Sequence, residues 1–229
     1  MQTTPFIEVA PITIKEVKAN HKVKHLVDGA NEVMKAMGYT EHGQRHMGVV
    51  GSITRYILEQ VGMPKRVIEL GHIAGYLHDI GNAVNRINHP ITSSNLAMMV
   101  LNEMGMDMGE IVTIMGAIGN HEELEGVPIS AMSAALIIAD KSDVHFSRVQ
   151  NPIQDSFDIH DRVNFAVQKS RVEVNPKTQV IELTLEVDTT YASVMEYFEI
   201  FLERMIMCRR SAEVLGHKFA LRANGTLLE

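Results

Sequence analysis

The stretch Gly71-His72-Ile73-Ala74-Gly75-Tyr76-Leu77-His78-Asp79-Ile80-Gly81 decides how this chain folds. Together with Val67, Ile68 and Leu70, its apolar residues Ile73, Ala74 and Leu77 recur every three or four positions, which predicts a helix from Lys65 to about Ile80. Pro64 stands at the favoured first position of such a helix. The helix then runs into His78-Asp79. A buried imidazole beside a buried carboxylate is costly unless a cation compensates the charge, and a divalent metal does so directly. Adjacent helical residues diverge by about 100°, so both face one ion only where the helix ends, and Gly81 supplies that end.

Outward from this stretch the helical period continues. Thr13-Ile14-Lys15-Glu16 has capping-box spacing, and an apolar pattern from Ile14 to Met37, closed by Gly38, predicts one long helix. Its lysines, Lys15, Lys18, Lys22 and Lys24, make a solvated face. A second helix is expected from about Gly43 to Val61, with Val49, Val50, Ile53, Ile57 and Leu58 inward. Further helical patterns cover roughly 92–104, 106–121, 129–147 and 158–168. The segment 1–168 therefore reads as an all-α bundle.

The period changes after residue 168. Val172 and Val174 precede the turn cluster Asn175-Pro176-Lys177-Thr178, and Ile181, Leu183, Leu185 and Val187 alternate with polar residues: a hairpin. A strongly apolar helix follows at about 191–215, with Met195, Phe198, Phe201, Leu202, Met205 and Ile206, ending at Gly216. Phe219 and Leu221 suggest a short strand before Asn224-Gly225. The fold class is thus mainly α, with 169–229 as a small α+β C-terminal appendage. The wide apolar arc of its helix is expected to meet the bundle or a second subunit, which makes a homodimer through the appendage one expectation.

Composition narrows the functional classes. A net charge of −7 over 229 residues argues against broad electrostatic binding to nucleic acid. No apolar run approaches the ~20 residues of a membrane span, and Met1–Ala10 lacks the pattern of a secretion signal. The single cysteine, Cys208, is what a reducing compartment permits. A cytoplasmic protein is expected. The unusual count is eleven histidines, several beside carboxylates within apolar sequence. His46 opens the second helix, and the helical frame favours it over its neighbour His42. His89 precedes Pro90 at a helix start, His121 precedes Glu122 after Ile111–Asn120, and Asp140 ends the apolar run Ala134–Ala139, where an unpaired carboxylate is expensive.

The order His46, His78-Asp79, His89, His121, Asp140 resembles the HD superfamily, a family of helical-bundle phosphohydrolases, over roughly residues 40–150. Leu77-His-Asp-Ile-Gly81 and Ile138-Ala-Asp-Lys141 carry the likeness, and the extra histidines resemble two-metal members. The resemblance implies that His46, His78, Asp79 and Asp140 bind one ion and that His89 and His121 bind a second, with Asp79 bridging. Such donors favour two divalent transition-metal ions, iron or manganese first, with zinc, cobalt, nickel or magnesium as further options. Bridging water with its pKa lowered to about 7 is the expected nucleophile. The reaction implied is hydrolysis of a phosphate monoester, diester or anhydride of a small phosphorylated substrate, a nucleotide by preference. Lys141, Arg86 and Asn82, the last standing where many family members have lysine, are the candidates for substrate phosphate. Lys141 and Glu122 are also candidates for catalysis, Glu122 by orienting water or shuttling a proton.

Two other functions share these ligands: a diiron oxygenase on the same fold and a nucleotide-sensing module without catalysis. His72 is expected to pack or to line the pocket, and His160-Asp161 to open a helix. The methionines of 98–108 and 195–207 read as core or interface filler.

Overall fold

The computed structural model describes residues 11–123 and 125–228. The expectation about Met1–Ala10 lies outside the described residues. Among those described, no helix is long and apolar enough to cross a membrane.

The chain starts with a capping box at Thr13, whose Oγ1 accepts from the Glu16 N–H while the Glu16 carboxylate accepts from the Thr13 N–H. The expected long first helix is two. Helix α1 (Ile14–Ala19) stops at Asn20, which is extended (φ −66°, ψ 126°), and α2 (His21–Ala36) begins there. Asn20 Oδ1 accepts from the N–H groups of Lys22 (2.9 Å) and Val23 (3.3 Å), so the asparagine competes with the helix backbone and wins as a cap. Gly38, at φ 82°, ends α2 as read.

Helix α3 (Gln44–Gln60) starts from Gly43. Helix α4 (Lys65–Leu77) has Pro64 one place earlier than expected, as its N-cap, and stops before His78. A short 3₁₀ turn, Ile80–Ala83, follows. Gly81 therefore does not terminate the helix. It permits close approach instead: a Cβ there would lie 2.5 Å from both the His89 carbonyl oxygen and the Ser93 nitrogen. Helix α5 (His89–Glu103) leaves a left-handed Asn88 with Pro90 in its first turn, a few residues before the expected start. Helices α6 (Met108–Gly119), α7 (Ala131–Ser142) and α8 (Ile159–Ala166) complete the bundle. Helix α7 is shorter than its apolar pattern suggested; residues 143–148 leave it through a 3₁₀ turn at Phe146–Arg148.

Strand β1 (Val167–Asn175) follows α8 directly and pairs antiparallel with β2 (Val180–Val187), the hairpin read from the alternation. Helix α9 (Val194–Val214) crosses over to β3 (Lys218–Ala223), which lies parallel to β2. A fourth strand, β4 (Thr226–Leu228), was not expected; it pairs with β3 around Asn224-Gly225, both at positive φ. The sheet order is β1-β2-β3-β4.

Two apolar cores result, and α7 belongs to both. Met132, Leu136 and Ala139 face the core of α1–α6. Ala135 and Ile138 join Ile57 and Leu58 of α3 in a second core with Ile181, Leu183 and Leu185 of β2 and with Tyr197, Phe201 and Met205 of α9. One arc of α9 is thus spent on the bundle, while Met195 and Leu202 stay exposed.

Candidate metal centre

His46 comes from the first turn of α3, His78-Asp79 from the end of α4, His89 from the first residue of α5, His121 from just beyond α6, and Asp140 from the last turn of α7. Helix ends deliver all six, because only there do neighbouring side chains turn together toward one point. The four imidazoles and Asp79 are no more than 2% exposed.

Each imidazole is held the same way. His78 Nδ1 donates to the Gly75 carbonyl (2.9 Å), His89 Nδ1 to Arg86 (2.9 Å), His121 Nδ1 to Ile118 (2.6 Å), and His46 Nδ1 to the Asp143 carboxylate (2.7 Å). A carbonyl oxygen only accepts, so the proton sits on Nδ1 and the Nε2 lone pair points inward. His89 Nε2 and His121 Nε2 lie 3.0 Å apart, with Arg86 Nη1 2.9 Å from His89 Nε2.

Asp79 joins two groups. Its Oδ2 lies 3.6 Å from both His46 Nε2 and His78 Nε2, which in turn lie 3.3 and 3.4 Å from Asp140 Oδ1. Its Oδ1 lies 3.1 Å from His89 Nε2 and 3.6 Å from His121 Nε2. Donors on an ion with bonds of about 2.1 Å stand roughly 3.0–3.4 Å apart, close to these spacings. His46 Nε2, His78 Nε2 and Asp79 Oδ1 are buried without a hydrogen-bond partner, which is the state of atoms whose partner is a cation. The residues fit a divalent-metal centre: His46, His78 and Asp140, then His78, Asp79 and His121, then His89, His121 and Glu122 each bring three donor atoms within reach of an ion. The buried His/Asp cluster fits a metal site.

Burial opposes charging of His46, but Asp140, Asp143 and Asp79 outweigh it and push its pKa up to about 9. Burial dominates at His121 and takes it down to about 4. Burial also opposes the charges of Asp79 and Asp140, yet the histidines, joined for Asp140 by Lys141, hold both carboxyls well below their usual range.

Among the other expected residues, Glu122 reaches the centre. Its Oε2 is 3.4 Å from His89 Nε2, and His89, His121 and Glu122 together form a further donor group. Burial raises the Glu122 carboxyl against the pull of Lys141 and Arg86. Arg86 also arrives, with Nη1 2.9 Å from His89 Nε2 and Nη2 3.2 Å from Glu122. Lys141 is buried, its ammonium between Asp140 (2.8 Å) and Glu123 (3.0 Å), which positions Asp140. Asn82 lies close by in sequence, three residues after Asp79. It is fully buried in the 3₁₀ turn packed between α2 and α5, with neither amide atom paired. His72 is buried on α4 with neither ring nitrogen paired, apart from the cluster. His160 and Asp161 open α8.

Three participants escaped the sequence. His42, passed over in favour of His46, also faces the centre: Nδ1 donates to Thr40 and Nε2 stands 4.0 Å from Asp79 Oδ2. Asp143, one turn after Asp140, orients His46 and is gripped by Arg45 through both oxygens (3.2 and 2.6 Å). Glu123 links Lys141 to Arg204 of α9 (2.6 Å). The offset from Asp140 to Asp143 was a usable signal, since residues three apart share a helix face; Arg204 and Glu123 meet only through tertiary packing.

A scan of protein-family models returns no match. An uncharacterized protein of Methanocaldococcus jannaschii is 24% identical over 217 residues, covering 83% of this chain and 81% of the relative. Among solved structures, a predicted HD superfamily hydrolase from an uncultured Thermotogales bacterium aligns at 20% identity over 58% of this chain and 75% of that one, with a TM-score of 0.44.

Proposed function

We propose that the protein is a two-metal phosphohydrolase of the HD type, acting on a small phosphorylated substrate of the nucleotide class. The observation that carries this reading is the convergence of His46 and His78 on one oxygen of Asp79 and of His89 and His121 on the other. His46, His78, Asp140 and Asp79 Oδ2 would hold one divalent ion, and His89, His121 and Asp79 Oδ1 the other, with iron or manganese favoured by the imidazole-rich donors. When bound, such ions supply Lewis acidity to phosphoryl oxygens and acidity to the attacking water.

The chain's own groups do the rest. Arg86 sits beside the second donor group, where its guanidinium offsets charge on a phosphoryl oxygen. Glu122, raised by burial, holds or passes a proton at Oε2. Lys141 keeps Asp140 ionised and fixed.

Elemental analysis of the purified protein is expected to give two equivalents of transition metal. Phosphate or phenol release should depend on added manganese, iron, cobalt or nickel, proceed without dioxygen, and vanish together with bound metal in His78→Ala. Dioxygen consumption without phosphate release would overturn the hydrolase in favour of an oxygenase. Metal-loaded protein without any turnover would favour a sensor.

A further inference from the structure

Asp140 offers its two oxygens to different partners. Oδ1 stands 3.3 Å from His46 Nε2 and 3.4 Å from His78 Nε2, on the side of the donor cluster, while Oδ2 accepts from the Lys141 ammonium at 2.8 Å. Lys141 is 2% exposed, and its other carboxylate partner is Glu123 Oε2 at 3.0 Å. The second oxygen of Glu123 accepts from Arg204 Nε of α9 at 2.6 Å. The Arg204 guanidinium is fixed in turn by the buried ring of Phe201, whose centroid lies 4.5 Å away. Charges of alternating sign thus run from α9 to a candidate ligand.

Such a chain fails as a unit, because removing one partner strands the next charge where water solvates it poorly. With Glu123 released, the Lys141 ammonium would lean on Asp140. A carboxylate drawn onto an ammonium is lost to a metal ion.

Glu123 also reaches the other side of the centre through the backbone. Its neighbour Glu122 points the opposite way: Oε2 stands 3.4 Å from His89 Nε2 and accepts from Arg86 Nη2 at 3.2 Å. The turn that carries both residues is tight. The Gly126 N–H donates to the Glu122 carbonyl at 2.9 Å, and a Cβ on Gly126 would lie 2.3 Å from the Asn120 carbonyl oxygen. Holding Glu123 therefore holds Glu122.

Resting on the metal centre of the reading above, we propose that Glu123 and Arg204 are positioning residues that keep Asp140 Oδ1 and Glu122 Oε2 turned toward the donor cluster. The C-terminal segment is thereby a working part of the centre and does more than cover the bundle.

Net charge and positioning predict opposite signs for one substitution. Arg204→Gln keeps much of the stem over Phe201 but removes a positive charge, which by charge alone would tighten the binding of a divalent cation. Positioning predicts that manganese binds about tenfold more weakly, read by competition with a chelator of known affinity. Arg204→Lys, which keeps the charge for Glu123, should recover most of the loss. Arg209→Ala, which removes the same charge from an exposed place on α9, should leave the affinity unchanged. In the cobalt-loaded protein the visible absorption of Arg204→Gln should shift as Asp140 turns. Unchanged or tighter manganese binding in Arg204→Gln would overturn the proposal, and so would an equal loss in Arg204→Lys, which would assign the effect to packing. Should Arg204→Gln fail to fold, Glu123→Gln carries the test: about tenfold weaker binding with shifted cobalt bands supports positioning, and unshifted bands refute it. Phosphate release is scored separately. A parent that binds manganese and turns over substrate, with variants that match it, sinks the positioning and leaves the hydrolase standing. Weaker binding in the variants of a parent without turnover supports the positioning and sinks the hydrolase. A parent that takes up no transition metal sinks both.

Discussion

Asp143 shows how much of the centre depends on a residue that touches no ion. Its Oδ2 accepts from His46 Nδ1 at 2.7 Å, and Arg45 holds it from the other side. Burial works against its charge, but His46 and Arg148 depress its carboxyl. Without it His46 would lose both its orientation and the proton placement that turns Nε2 inward. Asp143→Ala should lower metal affinity by about 10–100-fold, measured by competition with a chelator of known affinity. Unchanged affinity would mean that packing alone sets the ring. His72 illustrates the opposite case, a buried imidazole with no partner. Burial, reinforced by Lys18, lowers its pKa to about 4. The folded state therefore binds fewer protons than the unfolded chain between pH 6.5 and about 4, and stability falls as the solution is acidified through that window. The loss attributable to His72 is about 2–3 kcal/mol at most. His72→Gln should flatten the decline in denaturation midpoint between pH 6.5 and 4.5 relative to the parent, and parallel curves would refute the assignment. The six ligand candidates were legible because each is a polar residue at one end of an apolar helix pattern. His42, Glu123 and Asp143 lacked that contrast.

At the scale of elements, the site is set by how closely α3 and α4 approach. A Cβ on Gly75 would meet the Gly51 Cα at 2.7 Å and Thr54 Oγ1 at 2.9 Å, and a Cβ on Gly51 would crowd the His72 carbonyl at 3.0 Å. These glycines let two backbones nearly touch, which carries His46 of α3 to His78 at the end of α4. Gly75 also lends its carbonyl to His78 Nδ1. Gly75→Ala improves intrinsic helix propensity by roughly 1 kcal/mol, but overpacking against backbone costs about 1–3 kcal/mol. The clash is with atoms that cannot rotate away, so the net effect should be destabilising. Urea unfolding should show a lower midpoint, and metal retention should fall with it. A more stable variant would show that the helices can separate freely. Helix existence was readable from period throughout; the breaks were less so. Asn20 divides the first helix because its own side chain satisfies the next helix's N–H groups, and β4 spans only Thr226–Leu228, too short to show alternation.

For the molecule as a whole, α7 is the element through which the C-terminal segment reaches the centre. Its Met132, Leu136 and Ala139 belong to one core, its Ala135 and Ile138 to the other, and Asp140 is fixed in its last turn. Arg204 of α9 continues the link through Glu123 and Lys141 to Asp140. The change of period near residue 168 marks a change of secondary structure, but the second core spans it. Removing 169–229 would strip β2 and α9 from Ile57, Leu58, Ala135 and Ile138, all fully buried. Exposing apolar area costs about 25 cal/mol per Å², and a domain's margin is only about 5–15 kcal/mol, so the fragment 1–168 should lack a cooperative urea transition and bind a hydrophobic dye. The full chain should unfold in one transition by circular dichroism and by tyrosine fluorescence. A fragment that melts sharply and still takes up two equivalents of manganese would show that the bundle holds α7 and Asp140 in place unaided.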